Sequence, residues 1–195
     1  MIPMLEHVTP NATRQIRMDH RHALSVYRRY HPGLPAAKRR AIADTICLAL
    51  EVHAQLEEEI FYPALRERLP AGNAVLAEGV PEHDDMRRLI ATLRLLEPEA
   101  ADFDETFQAL MRQVMHHVAD EETVLLPAAE RALPEMLDAL GARMAQRRAQ
   151  LMAPRAGEMA SNVVHAMPSS LLMMLAAGLG FGAALLWQHR RPRFG

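Results

Sequence analysis

The chain has 195 residues, enough for one domain with a short appendage. Half of the residues are hydrophobic but only 5% are aromatic, a balance that disfavours a β-sandwich or barrel and favours helices packed through Leu, Ala and Met. The net charge of −2 gives no electrostatic case for nucleic-acid binding, and the single cysteine, Cys47, excludes both an intramolecular disulfide and a Cys-based zinc site.

Prolines and short turn sequences divide the chain into helical segments. We predict four long helices followed by a shorter one, at about residues 11–30, 36–69, a third that begins between 73 and 81 and ends at 97, 99–132 and 134–152. Four long helices joined by short turns predict an all-α fold, an antiparallel up-down four-helix bundle over residues 10–132. Residues 133–152 are then an accessory helix that begins at Pro134, and residues 153–167 a linker. Pro63 and Pro127 are predicted to kink the second and fourth helices.

The C-terminal region predicts a transmembrane helix at residues 168–188, followed by a basic tail at 189–195. Residues 171–187 carry no charge, and the whole segment of about 20 residues would span roughly 30 Å as a helix. It is similar to the glycine-rich anchors of small bacterial inner-membrane stress proteins. Gly178 and Gly182, four residues apart, are consistent with a homodimer through this helix.

Two features of the sequence bear on the orientation of this single-pass anchor, and they favour opposite orientations. Residues 1–15 lack the apolar run of a secretion signal, so we expect the bundle on the cytoplasmic side of a bacterial inner membrane. The positive-inside tendency opposes this orientation, because Arg190, Arg191 and Arg193 would then have to cross.

Histidine and glutamate interrupt the apolar stripes that should face the core of the bundle. On the fourth helix the predicted stripe is Phe107, Leu110, Val114, His117, Glu121, Val124 and Ala128. Across the four helices six polar residues fall on such stripes: His20, His53, Glu57, His83, His117 and Glu121. Buried ionisable groups are costly unless they are paired or bind a metal, so these six call for a common partner.

The six residues form two copies of one pattern. In each copy a histidine is followed, 33 or 34 residues later, by a His-x-x-x-Glu sequence. The copies are His20 with His53 and Glu57, and His83 with His117 and Glu121. Each glutamate is followed by a second acid and, six residues on, by a proline. Such coincidence of spacing is a far stronger indication than a single i,i+4 pair, which is common on solvated helices.

This donor set suits a pair of metal ions. Residues four apart lie on one face of a helix, so an imidazole and a carboxylate can hold the same ion or adjacent ions. Two carboxylates crossing the bundle could bridge ions about 3.5–4 Å apart. Imidazole with carboxylate, and no thiolate, favours iron, with manganese as second candidate. Six ligands leave room at the ions for oxygen, peroxide or nitric oxide.

These residues resemble the hemerythrin-like, or HHE cation-binding, family over roughly residues 10–132. The resemblance implies a four-helix bundle with a non-haem di-iron centre, in which the histidines would be terminal ligands and Glu57 and Glu121 the bridges. Oxygen-carrying members have a fifth histidine where this chain has Arg87, which argues against a reversible oxygen carrier. Members with the symmetric four-His, two-Glu pattern are linked to sensing of iron, oxygen or nitric oxide.

Several neighbouring residues are open to a second interpretation. His116 and Asp120 form a competing i,i+4 pair one step round the fourth helix, without the proline register that His117 shares. Glu58 and Glu122 are interpreted as acids behind the ligands or on the surface. Tyr27 and Tyr62 could lie near the site, but packing is the favoured interpretation of both.

Three functions follow as hypotheses. The first is a membrane-tethered di-iron protein that binds or senses O₂, NO or iron. The second is an oxidoreductase that uses the same centre to reduce O₂, peroxide or NO. The third is a metal-free bundle that tethers partners to the membrane. Because we find no general acid, substrate pocket or cofactor motif in the sequence, binding or sensing is favoured.

Overall fold

The computed structural model describes residues 9–70 and 73–157, and every regular element in these residues is helical. The α-helices are α1 (Ala12–Tyr27), α2 (Ala36–Leu56), α3 (Tyr62–Arg66), α4 (Ala74–Leu95), α5 (Ala101–Asp120), α6 (Leu126–Ala132) and α7 (Leu137–Met152). A π-helical turn at Glu57–Phe61 joins α2 to α3, and another at Glu121–Leu125 joins α5 to α6. A short 3₁₀ turn, Ala153–Arg155, follows α7.

Two asparagines begin helices where turns end. The side-chain oxygen of Asn11 accepts a hydrogen bond from the Arg14 amide, and that of Asn73 accepts one from the Leu76 amide. Each satisfies an amide that would otherwise lack a partner at the helix start. The accessory helix begins at Leu137 rather than at Pro134, which lies in the preceding turn, so its predicted start is three residues too early.

The structure has π-helical turns in front of Pro63 and Pro127, where the sequence predicts kinks. Each turn begins at a predicted bridging glutamate and closes with a hydrogen bond that spans five residues. A π-turn adds one residue to the helix and rotates the register beyond it. The predicted stripe is therefore wrong after Glu121: Val124 is 45% exposed, and Leu125 is buried instead.

The core has two apolar clusters, one on each side of the histidines. The first, here called the proline-end cluster because it lies where the π-turns lead into Pro63 and Pro127, includes Ile16, Leu56, Leu76 and Leu125. The aromatic-end cluster includes Val26, Leu50, Met86 and Val114, beside Phe103 and Phe107. Along α1 and α4 the chain passes from the proline-end cluster to the aromatic-end cluster, and along α2 and α5 it passes the other way. The long helices therefore alternate in direction, as in an up-down bundle.

Helix α7 packs against α1 and α2, the first two long helices. A methyl group at Gly141 would come within 2.5 Å of the Pro10 carbonyl oxygen, so glycine permits this close approach. The Gln15 side-chain amide donates to the carbonyls of Pro10 and Gly141 at 2.6 and 2.7 Å. The accessory helix is thus attached to the start of the bundle.

Among residues 9–70 and 73–157, the helices are too short or too polar to cross a membrane. The predicted transmembrane helix at 168–188, the linker beyond residue 157 and the basic tail lie outside the described residues.

Candidate metal centre

The six predicted ligand residues lie together between the two apolar clusters. None has more than 4% of its surface exposed. One histidine comes from each long helix, and the two glutamates are the first residues of the two π-turns. The two copies of the sequence repeat therefore lie opposite each other, with their histidines and glutamates in one cluster.

The Nε2 atoms of the histidines are close to the two glutamates. His53 and His83 each place Nε2 at 3.3 Å from Oε2 of Glu57. Oε2 of Glu121 lies 3.3 Å from Nε2 of His20 and 3.6 Å from that of His117. Two overlapping groups have all their donor atoms within 4.8 Å of one another: His53, Glu57, His83 and His117, and His20, His53, Glu57 and Glu121.

Four of these buried donor atoms have no hydrogen-bond partner of acceptable geometry. They are Nε2 of His20 and His53, Oε1 of Glu57 and Oε2 of Glu121. A buried polar atom left without a hydrogen bond costs about 1–3 kcal/mol, and more when the group is charged. Nitrogen and carboxylate oxygen atoms that converge without partners fit a bound cation, as the chemistry of the donor set also does.

Each histidine is held from behind by a carboxylate. The Nδ1 atoms lie 2.7–3.4 Å from a carboxylate oxygen in four pairs: His20 with Glu122, His53 with Asp19, His83 with Glu58 and His117 with Glu82. An Nδ1–H that donates to a carboxylate leaves the Nε2 lone pair directed at the centre, the tautomer that a metal needs. The sequence contains this signal, because His20 and His83 each follow an acid, and Glu57 and Glu121 each precede one.

Two of these carboxylates are themselves paired with arginine. Arg87 contacts both oxygens of Glu58, at 2.7 and 2.8 Å. Arg148 of α7 contacts Asp19 at 2.5 Å. The residue that replaces the fifth histidine of oxygen carriers, Arg87, therefore stands behind His83 and orients its carboxylate partner.

Tyr62 lies inside the centre, whereas packing was the favoured interpretation of this residue from the sequence. Its hydroxyl is 2.9 Å from Oε1 of Glu121 and 3.2 Å from Oε2 of Glu57, and its ring stacks on His83. Gly79 makes room for it, because a Cβ atom there would lie 2.7 Å from the hydroxyl. The sequence distinguishes Tyr62 in one respect: the position that matches it in the second copy of the repeat is an apolar residue, Leu126.

The pKa values of these groups reflect burial and mutual charge. Burial opposes protonation of His20 and His117, but hydrogen bonds and charges of neighbouring carboxylates outweigh it and raise both pKa values. Burial and the adjacent charge of Glu121 raise the pKa of Glu57 well above its ordinary value. The metal-free centre therefore retains protons that a cation would displace.

A small cavity of about 20 Å³, room for about one water molecule, lies against the four histidines. Its other walls are mainly apolar and come from the aromatic-end cluster, including Leu50, Met86, Ile90 and Val114. The centre thus has a narrow, largely apolar approach on this side.

The remaining candidates lie elsewhere. His116 is exposed, with Asp120 at 3.7 Å, and neither belongs to the buried centre. Cys47 is fully buried, and burial raises the pKa of its thiol to about 12, which leaves it unreactive.

The sequence pattern of the hemerythrin HHE cation binding domain matches residues 11–129. The chain therefore belongs to the hemerythrin HHE cation-binding family. All six residues of the centre lie in the matched range, and family membership indicates a cation, typically iron.

Two individual proteins are similar to this chain. A crystal structure of a hemerythrin HHE cation binding domain-containing protein from Mycobacterium kansasii covers 80% of this chain and 99% of its own, with a TM-score of 0.65 and 21% identity. At that identity the likeness shows the fold. A Nostoc sp. (strain PCC 7120) protein named a DNA nickase is 30% identical over 113 residues, 58% of this chain. The match spans 32% of that protein, about a third of its length.

Proposed function

We propose that the chain is a non-haem di-iron protein that binds or senses O₂, NO or iron. His20, His53, His83 and His117 would be the terminal ligands, and Glu57 and Glu121 would be the bridges. The observation that carries this proposal is the convergence of the buried donor atoms, four of which have no hydrogen-bond partner. Two iron ions when bound would supply redox chemistry and sites for a small ligand.

The surroundings of the centre favour a small ligand. The cavity beside the histidines holds little more than one water molecule, which suits a diatomic molecule or peroxide. Its walls are mainly apolar, with the charged residues Asp19, Glu51 and Arg87 also in the lining. Arg87 is engaged with Glu58 behind His83, so it would stabilise the ligand set rather than bind the gas itself.

Iron content of single-ligand variants tests this assignment. H83N and H53N remove one inward nitrogen each, while H22N changes an exposed histidine outside the cluster. We expect the first two variants to retain clearly less iron after aerobic loading and the control to match the unaltered chain. Equal iron in all three variants would contradict the ligand assignment. Nitric oxide should then change the absorption of the loaded chain.

Tyr62 supports the alternative function, an oxidoreductase that reduces O₂, peroxide or NO. Reduction consumes protons, and the neutral phenol is a donor within hydrogen-bond reach of both glutamates. Turnover with peroxide separates the two functions. If the chain is an enzyme, Y62F should lower turnover without lowering iron content. If it is a sensor, the loaded chain should bind its ligand without turnover.

We propose further that residues 168–188 anchor the chain in a bacterial inner membrane. The support is the uncharged run at 171–187 and the arginines that follow it. The full chain should stay in carbonate-washed membranes, L179A likewise, and L179R should be released, because a central arginine costs about 3 kcal/mol. Release of the unaltered chain would contradict the anchor.

The cytoplasmic placement of the bundle and a homodimer through Gly178 and Gly182 are separate proposals. Protease added to intact spheroplasts should leave a cytoplasmic bundle uncut, and digestion would reverse the orientation. Crosslinking in membranes should give dimers that G178L weakens, because close helix contact needs small residues. Monomer alone would exclude the dimer.

We also propose that nucleic acid is not a partner, although one relative is named a DNA nickase. A net charge of −2 provides no overall attraction to phosphates. The chain should neither shift nor cut supercoiled plasmid at low salt, and cutting by the purified chain would contradict this proposal.

A further inference from the structure

A second group of metal-ligand residues lies on the surface, outside the buried centre. His116 and Asp120 are one turn apart on α5, and Glu82 comes from the adjacent α4. Nε2 of His116 lies 3.7 Å from Oδ2 of Asp120 and 3.9 Å from Oε1 of Glu82. All three donor atoms lie within 4.8 Å of one another.

This surface group lies on the outer side of Glu82, one of the carboxylates that hold the histidines. Two of the other carboxylates have an arginine at the corresponding place. Asp19 and Glu58 each hold a histidine of the centre and each receive a cation from outside, the guanidinium of Arg148 or Arg87. Glu82 also holds a histidine, through Oε2 at 2.7 Å from Nδ1 of His117. Its other oxygen, Oε1, faces His116. Of the four carboxylates behind the histidines, Asp19 and Glu58 have an arginine on their outer side, and Glu82 has the metal-binding side chain of His116 there instead.

We propose that Glu82, His116 and Asp120 bind a divalent transition-metal cation such as Zn²⁺. Zinc accepts both imidazole nitrogen and carboxylate oxygen as ligands, and water would complete the coordination at this exposed position. Zinc bonds to nitrogen and oxygen are about 2.0–2.2 Å long, so tetrahedral ligands lie about 3.4 Å apart. The two separations from His116 are 3.7 and 3.9 Å and all three donor atoms lie within 4.8 Å, so side-chain rotations would bring the ligands to that value.

The cation would have the position and the role of a guanidinium behind Glu82. Bound to Oε1, it would fix the carboxylate whose Oε2 orients His117. The first copy of the sequence pattern has Val52 and Leu56 where the second has His116 and Asp120, so the surface site belongs to one half of the bundle only.

Zinc binding by the full-length chain tests the proposal. The buried centre can also take up zinc, but His116 does not belong to it, so the comparison between variants cancels that contribution. Calorimetric titration and metal analysis should find one more zinc ion per chain in the unaltered protein than in H116A. D120N should bind the extra ion at least about tenfold more weakly. H22A, the matched exposed histidine, should retain it.

Equal zinc stoichiometry and affinity in the unaltered chain and H116A would overturn the proposal. Loss of the extra ion in H22A as well would indicate general surface binding and would also overturn it. Circular dichroism should show that all variants are folded, because His116 and His22 are exposed. The zinc test is independent of the iron centre, because the two sites share no residue. The chain could fail to bind iron and still bind one more zinc ion than H116A, or bind iron and show no such difference in zinc.

Discussion

Arg148 of α7 donates a hydrogen bond to Asp19 of α1 at 2.5 Å, and the same Asp19 oxygen lies 3.4 Å from Nδ1 of His53. The helix that leads towards the C-terminal segment is therefore two contacts away from an inward-facing histidine nitrogen. Helix α7 lies outside the matched family range, residues 11–129, so this connection joins the centre to a part of the chain beyond that range.

This connection predicts that Arg148 affects metal binding. R148Q should lower the affinity for iron by up to about tenfold, because outer partners of metal-bound histidines typically contribute 10–100-fold and Arg148 is one step further out. R147Q is the matched control, since Arg147 pairs with Glu59, which does not hold a histidine. Competition with a chelator measures both. Equal loss in the two variants would mean that α7 acts only through general stability.

The contact between Gly79 and Tyr62 predicts the effect of G79A. Alanine in a helix gains about 1 kcal/mol over glycine, but the added methyl group would lie 2.7–2.9 Å from the Tyr62 ring and hydroxyl. Overpacking of this kind costs about 1–3 kcal/mol, so we expect net destabilisation. G157A, where nothing lies within 4 Å, should show none. Urea denaturation compares them, and a stabilised G79A would contradict the packing.

The second π-turn predicts a contrast between adjacent residues. L125A should lower the free energy of unfolding by about 2–5 kcal/mol, because Leu125 is fully buried. V124A should change it by no more than about 0.5 kcal/mol, since Val124 is largely exposed. Thermal or urea unfolding of the two variants gives the answer. The reverse order would mean that the helix continues without the π-turn.

The protonation of the metal-free centre predicts how iron binding depends on pH. His20 and His117 have pKa values above the ordinary 6.5, so their protons stabilise the metal-free fold below that pH and this contribution is lost as the pH rises. Iron must displace the same protons. Iron affinity should therefore increase from pH 6 to pH 8, with proton release visible in calorimetry across buffers. Affinity that falls over this range would contradict the assignment.

The sequence alone was sufficient to single out the histidines and glutamates that repeat. The four histidines interrupt the apolar stripes of four different helices, and the i,i+4 spacing puts His53 with Glu57, and His117 with Glu121, on one helix face. The direction of each helix followed from short turns at proline. The family resemblance then agrees with the match over residues 11–129.

Other features depend on contacts between distant helices and could not be read locally. The π-turns shift Val124 outwards because each helix adds one residue before a proline, and nothing in the apolar spacing marks that insertion. Packing was the favoured interpretation of Tyr62. Its contacts with Gly79 and with the two glutamates, which place its hydroxyl in the centre, appear only in the folded structure. The pairing of Asp19 with Arg148 joins residues 129 positions apart.

The central claim is that four histidines and two glutamates of this bundle hold two iron ions. The most direct measurement is iron per chain in the purified full-length protein after aerobic Fe(II) loading, with an absorption spectrum before and after oxygen. We predict two iron atoms per chain and a spectrum typical of an oxo-bridged pair, both lost in the E57A/E121A variant while its helix content persists. A chain that takes up no iron, or that loads equally in the double variant, would contradict the account.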